Sequence, residues 1–157
     1  LELHRMCMTV HKERFHSNAR FQKFMNISFE KILNRSFGKN ETGTERILVE
    51  YMHMILSKGK TLNGTRLSTS QIESTCMKVL DLVDHVFSKD KFLEEYAKRL
   101  QNRLLDTAYK EYGIESAVLS RIKLKIGQVS SMEVMLKDMK QVKHMYVFIS
   151  LYIYVSR

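Results

Sequence analysis

Several side chains have the right types for chemistry. Glu94 and Glu95 form an adjacent carboxylate pair, and Asp81 with Asp84 forms a second. General acid–base catalysis needs two such groups with separated proton affinities. Both pairs have apolar neighbours at helical spacing, so they read as the solvated sides of amphipathic helices. The six histidines show no HExxH spacing and no facial triad. Cys7 and Cys76 lie far apart among apolar residues, fit no zinc spacing, and read as reduced core thiols. Arg121, Lys123 and Lys125 share a basic patch that reads as solvent-exposed charge. No glycine-rich loop follows a strand, and no nucleophile elbow occurs. The expectation is a non-catalytic chain: catalytic residues none, cofactor-binding residues none, metal ligands none, cofactors none.

Four glycosylation sequons start at Asn26, Asn34, Asn40 and Asn63. The first two lie on or at the end of a predicted helix. The other two lie in loops and are usable only in a secreted chain. A secreted all-α helical cytokine-like protein is therefore the alternative reading.

The elements that position these residues are helices. The chain has 157 residues, 44% of them hydrophobic, with six glycines and no proline. That length can bury a core without metal or disulfide staples. The composition tolerates continuous helix better than a turn-rich β architecture. Net charge is +9, but basic residues are interleaved with Glu and Asp along the chain. Nucleic-acid binding asks for a clustered stripe, so no nucleic acid and no membrane partner is expected.

In order, residues 1–16 predict a helix with Leu3, Met6, Cys7, Val10 and Phe15 inward, and Ser17 or Asn18 caps the next segment. Phe21, Phe24, Met25, Phe29, Ile32 and Leu33 mark a second helix over 18–35. Residues 36–43 form a loop. Ile47, Leu48, Tyr51, Met52, Ile55 and Leu56 face inward over 44–58, and Gly59 and Gly64 mark a flexible connection. Ser68 with Gln71, or Ser70 with Glu73, makes a capping box. Val79, Leu80, Val83, Val86 and Phe87 then define one helix of a corner. Phe92, Tyr96, Leu100 and Leu104, each four residues from the last, define the other. Ser88 or Asp90 is placed to cap it. Gly113 breaks the segment after Leu105, and a short helix carrying Ile114, Ala117, Val118 and Ile122 stops near Gly127. Ser130 or Ser131 starts a last helix, with Met132, Met135, Leu136 and Met139 on its apolar side. The stretch 147–155 (VFISLYIYV) is apolar, β-branched and aromatic without a helical period. It is too short to span a bilayer, which takes about 20 residues, and reads as foreign to the preceding fold.

The corner carries more than a period. Lys78-Val79, Leu82, Lys89-Asp90, Phe92, Tyr96, Leu100 and Arg103-Leu104-Leu105 fall in register with the last helical repeat of cullins, which the chain resembles. The flanks are similar too. They include Phe15, Phe21, Phe29 and Leu33-Asn34, and the segment from Thr44 to Gly59. They include Leu67-Ser68 to Ile72-Glu73, and Glu115, Leu119 or Ile122, Lys123 and Gly127. Ser131 to Met139 resembles the start of the family's C-terminal bundle. Asn102, the segment after Leu105 and Ile126 depart from the family pattern.

The resemblance spans roughly residues 1–140 in order. It implies an all-α cullin-repeat helical bundle: a repeat-like domain over 1–108, the start of a C-terminal bundle over 109–140, and a divergent apolar tail over 141–157. It implies a non-catalytic scaffold of a multisubunit cullin-RING ubiquitin ligase, cytoplasmic and/or nuclear, with a RING subunit and an adaptor as protein partners. In the family those partners bind parts that would lie before Leu1 and after Arg157, so this chain resembles the middle of such a scaffold.

Overall fold

The computed structural model of the chain describes residues 1–35, 43–106 and 112–155. Seven helices run through them: α1 (Glu2–Arg14), α2 (Ala19–Leu33), α3 (Thr44–Lys58), α4 (Thr69–Val83), α5 (Lys89–Leu105), α6 (Tyr112–Lys125) and α7 (Ser130–Val155). The all-α expectation holds. Among the described residues there is no strand, only an isolated bridge between Lys60 and Arg66 in the α3–α4 connection. The expected loop over 36–43 with its Asn40 sequon, and the irregular segment after Leu105, lie largely outside the described residues.

The core sits where α3, α4, α5 and α6 meet. α3 packs along α5, α4 along α6, and α7 covers α6 and part of α5. The four-residue series of α5 lands wholly inside: Phe92, Tyr96, Leu100 and Leu104 are buried. Ile72, Cys76, Val79, Leu80 and Val83 of α4 and Leu48, Val49, Met52, Ile55 and Leu56 of α3 meet them. Each such side chain contributes about 1.5–3 kcal/mol by leaving water, and together they set the helix order.

The helix ends follow local chemistry. Asn18 accepts from the amides of Arg20 and Phe21 at the start of α2. Of the two candidate boxes, Ser68 with Gln71 is the one that forms. Gly59 closes α3 in left-handed backbone (φ 59°), and Gly127 does the same after α6 (φ 95°). Neither expected cap of α5 holds as such: Ser88 occupies the cap position but its side chain bonds no amide. The corner is held from elsewhere. Asn34, at the end of α2, accepts from the Phe87 amide (2.9 Å) and donates to the His85 carbonyl (2.8 Å). Gly113 lies in the first turn of α6 rather than ahead of it.

Two regions depart further from expectation. In α1, Leu3, Met6 and Val10 are exposed, as is Phe15 just after it, while His11 is buried. The side of α1 that meets α2 carries imidazoles instead: His4 lies edge-on to Phe29 (4.9 Å) and His11 stacks on Phe21 (5.7 Å). Phe24 and Ile32 of α2, Ile47 of α3 and Phe87 of the corner are also exposed. The second departure is the tail. Residues 147–155 continue α7 as helix to Val155. No glycine or proline interrupts 130–155, and once a helix is nucleated, aromatic and β-branched residues cost it only up to about 0.7 kcal/mol each.

Candidate functional site

The densest polar chemistry lies inside the core. α5 presents Tyr96 and, two turns on, Arg103; both fall within the apolar stripe drawn by Phe92, Leu100 and Leu104. α6 presents Glu115 among Ile114, Val118, Leu119 and Ile122. α3 presents His53 and Ser57. Arg103 is 2% exposed and Glu115 0%. Such charges persist in a core only when paired and fully hydrogen-bonded.

That condition is met. Arg103 Nε donates to Glu115 Oε1, and Arg103 Nη2 donates to Oε2 at 3.1 Å. Tyr96 donates its hydroxyl proton to the same Oε2 at 2.8 Å. The guanidinium carbon lies 5.3 Å from the centre of the Tyr96 ring, and Arg103 Nη1 reaches His53 Nδ1 at 3.1 Å. The two-point fork between guanidinium and carboxylate fixes orientation as well as distance. α5 and α6 therefore cannot turn about their axes independently without opening it.

Electrostatics around this clamp favour neutral neighbours. Burial, then the Glu115 charge, holds the Tyr96 hydroxyl well above its usual range. The same two causes push the Cys76 thiol up to about 12. Burial, with Arg103 and Arg99 beside it, lowers His53. The clamp is a set of fixed hydrogen bonds, with a phenol and a thiol held protonated. A 700 Å³ surface groove runs between α1, α2 and α4, lined by His4, Arg5, Lys12, Lys78, Asp81 and Asp84 among others, none of them a clamp residue.

The residues weighed from sequence are distributed differently. Asp81 takes Arg121 (3.5 Å) and Lys125 (3.4 Å), and Lys125 also reaches Asp84. Lys123 pairs with Glu133 at 3.0 Å. The basic patch is thus a seam binding α6 to α4 and α7, each pair worth up to about 1 kcal/mol. Glu95 pairs with Lys98 at 2.9 Å along its own helix. Both cysteines are free thiols, Cys76 buried and Cys7 half-buried. Among the described residues no group of three or more His, Cys, Asp or Glu could hold a metal ion. Also among them, no helix is long and apolar enough to cross a membrane.

Sequence reasoning missed the clamp, although it left a signal. Arg103 and Glu115 each occupy a position where the helical period calls for an apolar side chain. A charge at such a position, on two successive helices and of opposite sign, points to a buried pair.

Comparison with known proteins bears on the whole chain. The family model described as the cullin alpha solenoid domain matches residues 1–146. Cullin-1 of Oryza sativa subsp. japonica is 30% identical over 141 residues, covering 88% of this chain and 18% of that protein. Cullin-2 of Arabidopsis thaliana is 30% identical over 146 residues, covering 91% and 19%. Cullin-4A of Homo sapiens is 28% identical over 135 residues, covering 85% and 17%. The chain spans less than a fifth of the length of these relatives.

Proposed function

We infer the function from one premise: this chain belongs to the cullin family. Its role is that of a non-catalytic spacer in a ubiquitin-ligase scaffold, cytoplasmic and/or nuclear, holding protein partners at a fixed separation. The partners are those of a cullin-RING assembly, a RING subunit and an adaptor. A spacer of this kind performs no chemistry; it raises effective concentration by restricting geometry. The division at residues 108 and 140 belongs to the same proposal, with the joint between its first two parts closed by the clamp. The cullin matches do not favour the cytokine-like alternative.

The observation that carries the reading is the buried Arg103–Glu115–Tyr96 clamp. Its residues project into a packed core, where they stiffen the joint between α5 and α6. Two measurements test the proposal. Spin labels at the exposed positions 47 and 134, with Cys7 replaced by serine, should give one narrow distance distribution that broadens in Glu115→Gln. A broad distribution in the parent chain would remove the spacer role. Affinity capture from cells of this segment, together with any transcript sequence that flanks it, should recover a RING subunit or an adaptor, and recovery of neither would overturn the ligase assignment.

A further inference from the structure

His53 meets the clamp from α3 in a geometry that only one protonation state satisfies. Its Nδ1 lies 3.1 Å from Arg103 Nη1 and 3.2 Å from the Ser57 hydroxyl. Arginine donates and never accepts. Nδ1 therefore accepts, and the ring proton resides on Nε2. Protonating Nδ1 would set an N–H against an N–H of a permanent cation and remove an acceptor from a buried guanidinium. The charged groups facing His53 are Arg103 and Arg99 from α5, Glu50 from α3 itself, and Glu115 from α6. Both carboxylates are already engaged, Glu50 by Arg99 and Glu115 by Arg103. Their charge favours the protonated ring, but burial and the two arginines outweigh it.

We propose that His53 is a proton-operated latch on this joint. With the ring neutral, Nδ1 holds Arg103 and ties the C-terminal half of α3 to the α5–α6 clamp. With the ring protonated, that hydrogen bond is lost and this half of α3 loosens. The sign follows from linkage. Burial and the two arginines lower the folded-state pKa below its unfolded value of about 6.5. The stabilisation is complete above that value and disappears as pH falls through the folded pKa. The use of such a latch, softening a spacer in acid, rests on the function proposed above. The latch itself involves no partner protein, so its test is decided separately.

The experiment is carried out on the whole chain with His4 and His85 replaced by glutamine, which removes the two other imidazoles whose pKa burial lowers. An NMR titration of the assigned His53 ring should give a midpoint below that of free histidine. Hydrogen exchange, corrected for intrinsic rates, is compared at about pH 7.5 and about pH 5.5, on either side of histidine titration. Protection across Met52–Ser57 should fall by about tenfold, the size of one lost charge-assisted hydrogen bond. In His53→Asn the side-chain oxygen takes the place of Nδ1 and cannot be protonated, so protection there should not change with pH. A His53 midpoint at or above the free value overturns the latch. So does an equal loss of protection in His53→Asn. The titration needs no variant at residue 53 and decides the matter even if that variant does not fold.

Discussion

The hairpin α1–α2 and the body α3–α6 are built from helices of similar length and similar apolar period, yet they are held in different ways. In the body the apolar stripes of four helices converge, and among the described residues the buried charge of that stripe is closed by a two-point ion pair. In the hairpin, Leu3, Met6, Val10, Phe24 and Ile32 remain exposed. The hairpin is fastened at its base, by Asn34 to the corner and by the Thr44 hydroxyl to the Leu33 carbonyl. The rings of His4, Phe29 and His85 form a further contact, with His4 and His85 centred 5.6 Å apart. Its turn holds His16 (φ 45°) and Ser17 (φ 57°) in left-handed backbone. An amphipathic period therefore announces a helix, but only the number of stripes that converge decides how firmly it is held.

The largest effect should come from the body. Glu115→Ala removes the carboxylate that forks the buried Arg103 guanidinium and should cost about 3–5 kcal/mol in urea denaturation. If the cost is below about 1 kcal/mol, the clamp is not what distinguishes the two regions. Asn34→Ala removes both bonds to the corner and should cost roughly 1–2 kcal/mol. Hydrogen exchange should show the loss in α1 and α2 and leave α3–α6 protected. Uniform loss would mean that hairpin and body open as one unit.

Acid should separate the regions again. Burial lowers the pKa of both His4 and His85, with the neighbouring His85 a further cause for His4. Below about 6.5 the unfolded state binds more protons, so their contribution is lost as pH falls. Exchange in α1 should quicken on acidification, and the double replacement of His4 and His85 by glutamine should flatten that response. Ser17→Gly should relieve a left-handed residue and stabilise the hairpin by up to about 1–2 kcal/mol, visible as slower exchange in α1. The smallest effect is expected at Phe24. Replacement by serine should move overall stability by no more than about 0.5 kcal/mol, as at surface sites generally. Leu100→Ala, in the same size class but buried, should cost about 2–5 kcal/mol.

The sequence reached the body more accurately than the hairpin, for a physical reason. The series Phe92, Tyr96, Leu100, Leu104 is a statement about one helix and its nearest neighbours, and the structure buries all four. In α1 the same reasoning selects Leu3, Met6 and Val10, but two imidazoles meet the phenylalanines of α2, His4 edge-on and His11 stacked, and turn that stripe outward. Placing it requires knowing what α1 packs against, which one helix's period does not contain. The clamp was half visible. Both residues stood within the stretches that resemble cullins, but joining them takes the crossing of α5 and α6, a relation between two helices. The tail, which its composition marks as foreign to the preceding fold, lacks a helical period, yet the helix already running carries on through it to Val155.

That continuity has a mechanical consequence. α7 has 26 residues, and at 1.5 Å per residue it is about 39 Å long. Its foot is set by the buried Val129 and Met132, and a contact between Lys143 and the Tyr112 ring (4.9 Å) braces it farther along. Beyond that brace, residues 144–155 of the helix form a lever arm about 18 Å long. A tilt of about 5° would sweep its far end through about 1.5 Å. Small slack between α5 and α6 is thereby magnified in whatever the arm carries, and the aim of the arm is set by a carboxylate and a guanidinium that never touch solvent.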